Sequence, residues 1–208
     1  MQSNDSPWAM SKSQKVYLIF KRGIDIFGSL FGILVLSPII LACAILTKAT
    51  SPGPVFFRQP RTGLNQQPFR IYKFRSMKIS AKQAAPSELS EEERADMVTG
   101  WGKFMRKTSL DEIPQLFNIL IGDMSFIGPR PCTFAEEELL RLRNSTIPSA
   151  YLVKPGISGL AQIRLRRDHN PAKKAQYDYL YAKCFSFHLD AKLFLLSLLV
   201  ALGFYKGK

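Results

Sequence analysis

Residues 24–47 form an apolar run with one charge, Asp25, about as long as the ~20 residues that cross a bilayer. Any fold of this chain must find that run a place out of water. No small-residue cleavage site followed by a polar start comes after it, so it does not read as a removable signal peptide. Ser37-Pro38 sits inside it. Pro38 has no N–H for the carbonyl of Leu34 and crowds the preceding turn, while the Ser37 hydroxyl can bond a carbonyl of that turn. A kinked helix is therefore expected at Ser37 and Pro38. Lys12, Lys15, Lys21 and Arg22 precede the run and Lys48, Arg58 and Arg61 follow it, so the positive-inside rule selects no direction for a single span and is satisfied when both ends lie on the cytoplasmic side. A spanning helix and a re-entrant helix that dips into one leaflet both stay open at this point. Gly28 and Gly32 share a helical face that allows close packing against the rest of the chain.

The chain is otherwise short and basic. Its net charge of +13 over 208 residues calls for an anionic partner, whether nucleic acid, lipid head groups or a phosphorylated substrate. Cys43, Cys132 and Cys184 are far apart, and His169 and His188 are isolated, which argues against a disulfide framework, a zinc site or a Ser-His-Asp arrangement. Residues 1–14 read as a disordered tail, 15–50 as the membrane helix and 51–208 as the remaining domain. In that domain, strands at 55–59 and 69–77 suggest a hairpin. An acidic, capped helix is expected within 80–96 and a scaffold helix at 133–144. The apolar stretch 193–204 is too short to span, and reads either as an interfacial helix or as a buried core helix. The fold class is α+β, mostly helical, with a small β-hairpin or sheet and interfacial amphipathic helices.

Chemistry concentrates in Thr108-Ser109-Leu110-Asp111-Glu112-Ile113-Pro114-Gln115. Pro114 disfavours a helix starting at Ser109, because its ring would meet the carbonyl of Leu110. A later start, with Asp111 near the N-cap, puts both carboxylates at a helix N-terminus. The simpler alternative is a capping box between Ser109 and Glu112. Cations surround the pair in sequence. Alternation in Tyr72-Lys73-Phe74-Arg75 puts Tyr72 and Phe74 on one face and Lys73 and Arg75 on the other, aimed at a phosphate. Arg106 leads into the acidic pair, and cations beside a carboxylate keep it ionised. Arg130 lies between Pro129 and Pro131, preorganised for bidentate recognition of a phosphate or carboxylate. A second turn-rich segment, Lys154-Pro155-Gly156-Ile157-Ser158-Gly159-Leu160-Ala161-Gln162, precedes Arg164, Arg166 and Arg167.

Together these segments resemble one family, the small monotopic polyprenyl-phosphate phosphoglycosyl transferases, bacterial enzymes that begin membrane-bound glycan assembly. The resemblance runs from Lys15 to about Lys192. It rests on Ser37-Pro38, on Phe57-Arg58-Gln59 with Arg61 and Gly63, on Tyr72-Lys73-Phe74-Arg75-Ser76-Met77, on the Asp111-Glu112 segment, on Gly122-Asp123-Met124-Ser125-Phe126-Ile127-Gly128-Pro129-Arg130-Pro131, and on 154–162. Larger members carry an extra multi-span region and a further domain before this unit, and this chain resembles the minimal form. The resemblance implies a transfer in which Asp111 attacks a UDP-sugar, UMP leaves, and the phosphosugar passes to undecaprenyl phosphate. Glu112 matches the family's second acidic residue, and Mg²⁺ at Asp111 and Glu112 is implied. Lys73, Arg75, Arg106, Arg130, Gln162 and Arg164 are the expected substrate-positioning residues. The implied setting is the cytoplasmic face of the bacterial inner membrane, with the re-entrant helix favoured, no nucleic acid bound and a homodimer left open. One departure stands out. Where many relatives carry an Asn-Gly-Arg-like turn after Gln162, this chain has Ile163-Arg164-Leu165-Arg166-Arg167, so Arg164 to Arg167 would supply the arginine in a shifted register. The competing readings are a basic membrane-anchored anion-binding protein and an inactive scaffold of the same fold.

Overall fold

A computed structural model describes residues 9–78, 97–165, 168, 170–201 and 204. The acidic helix expected within 80–96, most of the tail expected at 1–14, and Arg166 and Arg167 lie outside the described residues. The fold is mostly helical, as expected, and carries two short sheets where one small hairpin or sheet was expected. Ser11 opens α1 (Lys12–Thr50) with a capping box. Its hydroxyl accepts from the Gln14 amide at 3.2 Å, and the Gln14 side chain accepts from the Ser11 amide at 3.0 Å. The helix therefore begins at Lys12, inside the stretch read as a tail. It is continuous through Pro38. Ser37 Oγ donates to Leu34 O at 2.8 Å, the carbonyl that Pro38 leaves without its helical donor.

One face of α1 builds the core along nearly its whole length. Tyr17 and Leu18 join a cluster with Ile127, Val153, Tyr181, Phe185 and Leu193. Ile33 and Leu36 join Ile71, Leu116, Ile119 and Met124. Ile40, Cys43 and Ala44 join Phe74 and Met105. Gly28 and Gly32 serve the close approach their spacing suggested, since a Cβ at Gly28 would lie 2.8 Å from the Phe126 ring and one at Gly32 3.2 Å from Leu116. Polar groups on the same face are partnered by protein. Lys21 reaches Ile127 O at 2.9 Å and also Asp190, Arg22 reaches Ile119 O and Leu120 O at 2.7 and 2.8 Å, and Asp25 accepts from Ser125 Oγ at 2.9 Å and the Phe126 amide at 3.1 Å. The lone charge of the apolar run thus points into the domain. The opposite face is apolar and exposed, with Ile19 and Phe27 both at 74 % and Leu34 at 71 %.

After the turn at 51–54, β1 (Phe56–Thr62) and β2 (Pro68–Phe74) pair antiparallel as the expected hairpin, with Phe57 opposite Lys73 and Arg58 opposite Tyr72. Next come α2 (Gly100–Thr108), α3 (Gln115–Ile121), β3 (Ser125–Ile127), α4 (Glu137–Asn144), β4 (Gly156–Ser158), α5 (Leu160–Arg164), α6 (Pro171–Cys184) and α7 (Phe187–Ala201). Strands β3 and β4 form a second, parallel pair. Helix α4 starts later than the expected 133 because Glu136 folds back, its carboxylate accepting from the Thr133 amide at 2.8 Å and hydroxyl at 3.0 Å. Helix α7 is not the buried core helix of the second reading. Leu193 is buried and Leu189 and Leu196 pack inward, but Phe194, Leu195 and Leu198 are exposed.

The free edge of β2 is closed by a side chain. Asn118, fully buried on α3, accepts from the Tyr72 amide at 2.8 Å and donates to Arg70 O at 2.8 Å, supplying the donor and acceptor that another strand would bring. This locks β2 against α3. Asn118→Leu should strand both backbone groups at a cost of about 2–4 kcal/mol, lowering the thermal midpoint by roughly 4–16 °C. Thermal melting in detergent checks it, and an unchanged midpoint would show that the edge does not depend on the amide.

Candidate functional site

The site is assembled where α2 meets α3. Thr99 caps α2, its hydroxyl accepting from the Gly102 amide at 2.9 Å. Gly102 lies against the end of β2 so closely that a Cβ would fall 2.0 Å from Ser76 O. Ser109 ends α2 in the left-handed region, at φ 58°, and a 3-10 turn, Leu110–Glu112, follows. Pro114 has no N–H for Leu110 O, so the chain tightens to three-residue bonds. Ile113 N donates to Leu110 O at 3.3 Å, Leu116 N to Ile113 O at 3.0 Å and Phe117 N to Pro114 O at 3.0 Å. Two expectations are corrected here. Asp111 is not near the N-cap of the following helix, because α3 starts only at Gln115 with Pro114 as its cap. Nor does a Ser109–Glu112 capping box form, since the Ser109 side chain makes no cap hydrogen bond. The physical reason is common to both: the left-handed Ser109 breaks the chain direction, and the proline defers the helix.

Glu112, freed from capping, accepts two cations on one oxygen. Lys73 Nζ on β2 donates to Oε1 at 2.5 Å and Arg130 Nη2 donates to the same atom at 3.0 Å. Burial works to raise the Glu112 pKa, but Arg130 and Lys73 outweigh it and hold the carboxyl down at about 2. Burial also pulls Lys73 below its ordinary value, against the pull of Glu112. Asp111, buried, forms no ion pair and no hydrogen bond to another side chain among the described residues; a backbone amide, its own, is the donor beside it. Burial raises its pKa above the ordinary carboxylate value, with Lys73 and Arg106 working the other way and Glu112 adding to the rise. The result is a carboxylate without an ion pair beside a doubly paired one, with cations around both. Such a setting suits an anionic substrate and a nucleophilic oxygen.

The remaining expected residues divide. Arg106, exposed, donates through Nε to Ser76 Oγ at 2.9 Å and acts electrostatically on Asp111. Arg130 is half exposed and faces Glu112. Arg75 departs from the expectation that it shares Lys73's target. It lies just past the end of β2, is buried, and donates to Ser51 O at 2.6 Å, with Nε and Nη1 unpartnered among the described residues. Strand alternation no longer governs it there. The amide nitrogen and oxygen of Gln162 are both buried without a hydrogen-bond partner among the described residues. Arg164 is exposed in the last turn of α5. Among the described residues, no group of three His, Cys, Asp or Glu side chains is placed to hold a metal. Asp111 and Glu112 are two adjacent carboxylates, however, and Mg²⁺ is commonly held by one or two carboxylates together with substrate phosphates.

Three contributors were not singled out in the sequence as site residues. Asn118 fixes the strand that carries Lys73, and a polar residue inside an apolar helical stripe is the signal that marks it. Arg61, part-buried, donates to Pro131 O at 3.2 Å. Arg143, placed in a scaffold helix, is buried and donates to Arg130 O at 3.0 Å. Nothing local in the sequence distinguishes Arg143 from Arg141.

A family profile described as bacterial sugar transferase matches residues 16–203. The chain is 40 % identical over 187 residues to a UDP-glucose:undecaprenyl-phosphate glucose-1-phosphate transferase of Klebsiella pneumoniae, covering 88 % of this chain and 40 % of that protein. It is 42 % identical over 184 residues to a UDP-N-acetylgalactosamine-undecaprenyl-phosphate N-acetylgalactosaminephosphotransferase of Aeromonas hydrophila, covering 84 % of this chain and 42 % of the other. It thus spans about two fifths of the length of those two relatives. An exopolysaccharide production protein, PSS, of Rhizobium leguminosarum bv. phaseoli is 37 % identical over 185 residues and is matched over 92 % of its length. With a profile spanning nearly the whole sequence and relatives at this level of identity, the chain belongs to the bacterial sugar transferase family.

Proposed function

We propose that this chain transfers a sugar-1-phosphate from a UDP-sugar to undecaprenyl phosphate, with Asp111 as covalent nucleophile, and so begins the assembly of a membrane-bound glycan. The observation that carries this reading is the asymmetry of the acidic pair: Glu112 takes both cations, while Asp111, among the described residues, is bonded to neither. A carboxylate oxygen of Asp111 attacks the sugar-bearing phosphorus. The bond from that phosphorus to the bridging oxygen breaks, and UMP leaves with the electron pair. The phosphate oxygen of undecaprenyl phosphate then attacks the same phosphorus, releasing Asp111 as a carboxylate and leaving a sugar diphosphate-linked polyprenol. Charge is conserved at each displacement, and no oxidant or reductant enters. Lys73, Arg106 and Arg130 offset the diphosphate charge as it shifts to the leaving group. Gln162, whose buried amide has no partner among the described residues, has donor and acceptor capacity for the substrate. Mg²⁺ held by Asp111 and Glu112 would withdraw further charge from the diphosphate.

The membrane reading follows from α1. At 39 residues it is about 58 Å long, nearly twice the ~30 Å hydrocarbon core. Residues near both of its ends touch the same domain: Gln14 Nε2 donates to Lys183 O at 3.1 Å, and Thr47 accepts from Trp101 Nε1 at 3.2 Å. A helix tied at both ends to one polar domain keeps both ends on the side where that domain lies. The reading is therefore a helix embedded from the cytoplasmic face of the inner membrane by its exposed apolar side, without crossing. Residues 51–208 then sit at the interface, with the outer face of α7 against lipid.

UMP release from UDP-glucose, UDP-galactose, UDP-N-acetylglucosamine and UDP-N-acetylgalactosamine, with Mg²⁺ and undecaprenyl phosphate, tests the activity. Release is expected with at least one donor and falls at least about a thousandfold in Asp111→Asn, whereas full activity in that variant would remove the nucleophile assignment. For the topology, single cysteines placed before Lys12 and after Ser51 in a background lacking Cys43, Cys132 and Cys184 should label from the same side of sealed vesicles. Labelling from opposite sides would establish a span.

A further inference from the structure

The loop that carries Arg130 is held by its carbonyls. Pro129 O accepts from the Gly156 amide at 2.9 Å, Arg130 O from Arg143 Nη1 at 3.0 Å, Pro131 O from Arg61 Nη1 at 3.2 Å and Cys132 O from the Thr62 amide at 3.1 Å. The donors come from β4, α4 and β1, so the loop is gripped from three elements. Pro129 and Pro131 fix φ on both sides and offer no N–H, so the carbonyls are the backbone handles this segment has. Arg143 is itself immobile. It is 3 % exposed, its Nε donates to Asp178 at 2.9 Å and its Nη2 to the same carboxylate, and its Nη1 also meets Cys132 Sγ. By contrast the Arg130 side chain is 50 % exposed where it meets Glu112. An exposed guanidinium loses side-chain entropy to hold one geometry, so its aim depends on how firmly its backbone is set.

We propose that Arg143 and Arg61 are positioning residues for the transfer: they grip the carbonyls on either side of the Arg130–Pro131 bond and so hold the Arg130 guanidinium over Glu112, with its remaining N–H groups turned to the diphosphate of the donor. This rests on the reading of Arg130 as a diphosphate contact. The simpler role for Arg143 is a buried ion pair with Asp178 that serves the fold alone, and buried pairs are weak evidence of stabilisation. Beyond that pair, Nη1 reaches the Arg130 loop, at Arg130 O and at Cys132 Sγ. A guanidinium can serve Asp178 with two nitrogens and the carbonyl with the third, and a lysine cannot.

A double-mutant cycle separates the two roles. The readout is kcat and KM for UMP release with the best donor of the four-sugar panel, in Arg143→Lys, Arg61→Lys, Arg130→Gln and the two pairings with Arg130→Gln. Each clamp variant alone should lower kcat/KM about 10- to 100-fold, the range for misplaced positioning groups. In the Arg130→Gln background each should lower it by less than about twofold, because residues acting through one group do not add. The same loss with and without Arg130 would overturn the inference and leave Arg143 and Arg61 as supports of the fold. An unchanged kcat/KM in Arg130→Gln alone would remove the reading of Arg130, and this inference with it. Arg61, on a part-buried side chain, carries the cycle if Arg143→Lys does not fold.

Discussion

A single carboxylate oxygen, Glu112 Oε1, accepts both Lys73 from β2 and Arg130 from the loop after β3. It joins three stretches that are distant in sequence and sets the electrostatics of everything near them. Burying a carboxylate costs free energy unless it is paired and hydrogen-bonded, and here the pairing is strong enough to hold Glu112 at about 2 despite its burial. An arrangement of this kind is not primarily a source of stability, because desolvation cancels much of the attraction. Its effect is to occupy Glu112. The neighbouring Asp111 has the burial without the pairing, and its pKa moves the other way. Two adjacent carboxylates with opposite shifts are the pattern by which one site separates two chemical roles.

The rest of the molecule keeps those groups in register. Asn118 closes the edge of β2, so the strand that carries Lys73 cannot slide against α3. Gly128 and Gly156 let β3 and β4 approach so closely that a Cβ on Gly156 would lie 2.1 Å from the Gly128 nitrogen, which sets the origin of the Arg130 loop. Helix α1 runs under all of this and inverts the usual pattern of a surface helix. Its charged residues Lys21, Arg22 and Asp25 face the domain, where they find partners, while apolar residues such as Ile19, Phe27 and Leu34 face out. That inversion makes physical sense where the surroundings are lipid, since the hydrocarbon offers no partner to a charge and no penalty to a leucine.

Much of this was legible from the residues. The hairpin at 55–77 followed from its alternation, the Ser37 bond to Leu34 from proline chemistry, and the close packing of Gly28 and Gly32 from their spacing. What local pattern could not supply was the partner of each charge. Asp25 looked like the exception in a membrane run, but Ser125 and the Phe126 amide are a hundred residues away in the chain. Glu112 looked like half of a capping box because S-x-x-E is a local signal, yet the left-handed Ser109 and Pro114 remove the helix start that the box would serve. Arg75 looked like the twin of Lys73 until the strand ended one residue before it. Arg143 lay in a stretch read as a scaffold helix, and only the tertiary fold brings it to the Arg130 loop.

The account stands on Asp111 as a nucleophile rather than a spectator of its better-paired neighbour. The most direct measurement is intact-protein and peptide mass spectrometry after incubation with the active UDP-sugar and Mg²⁺ in the absence of undecaprenyl phosphate. The account predicts a mass increase of one phosphosugar on the peptide containing Asp111, released on addition of undecaprenyl phosphate and absent in Asp111→Asn. An active enzyme that shows no adduct under single-turnover sampling, or one that carries the adduct on another residue, would contradict it.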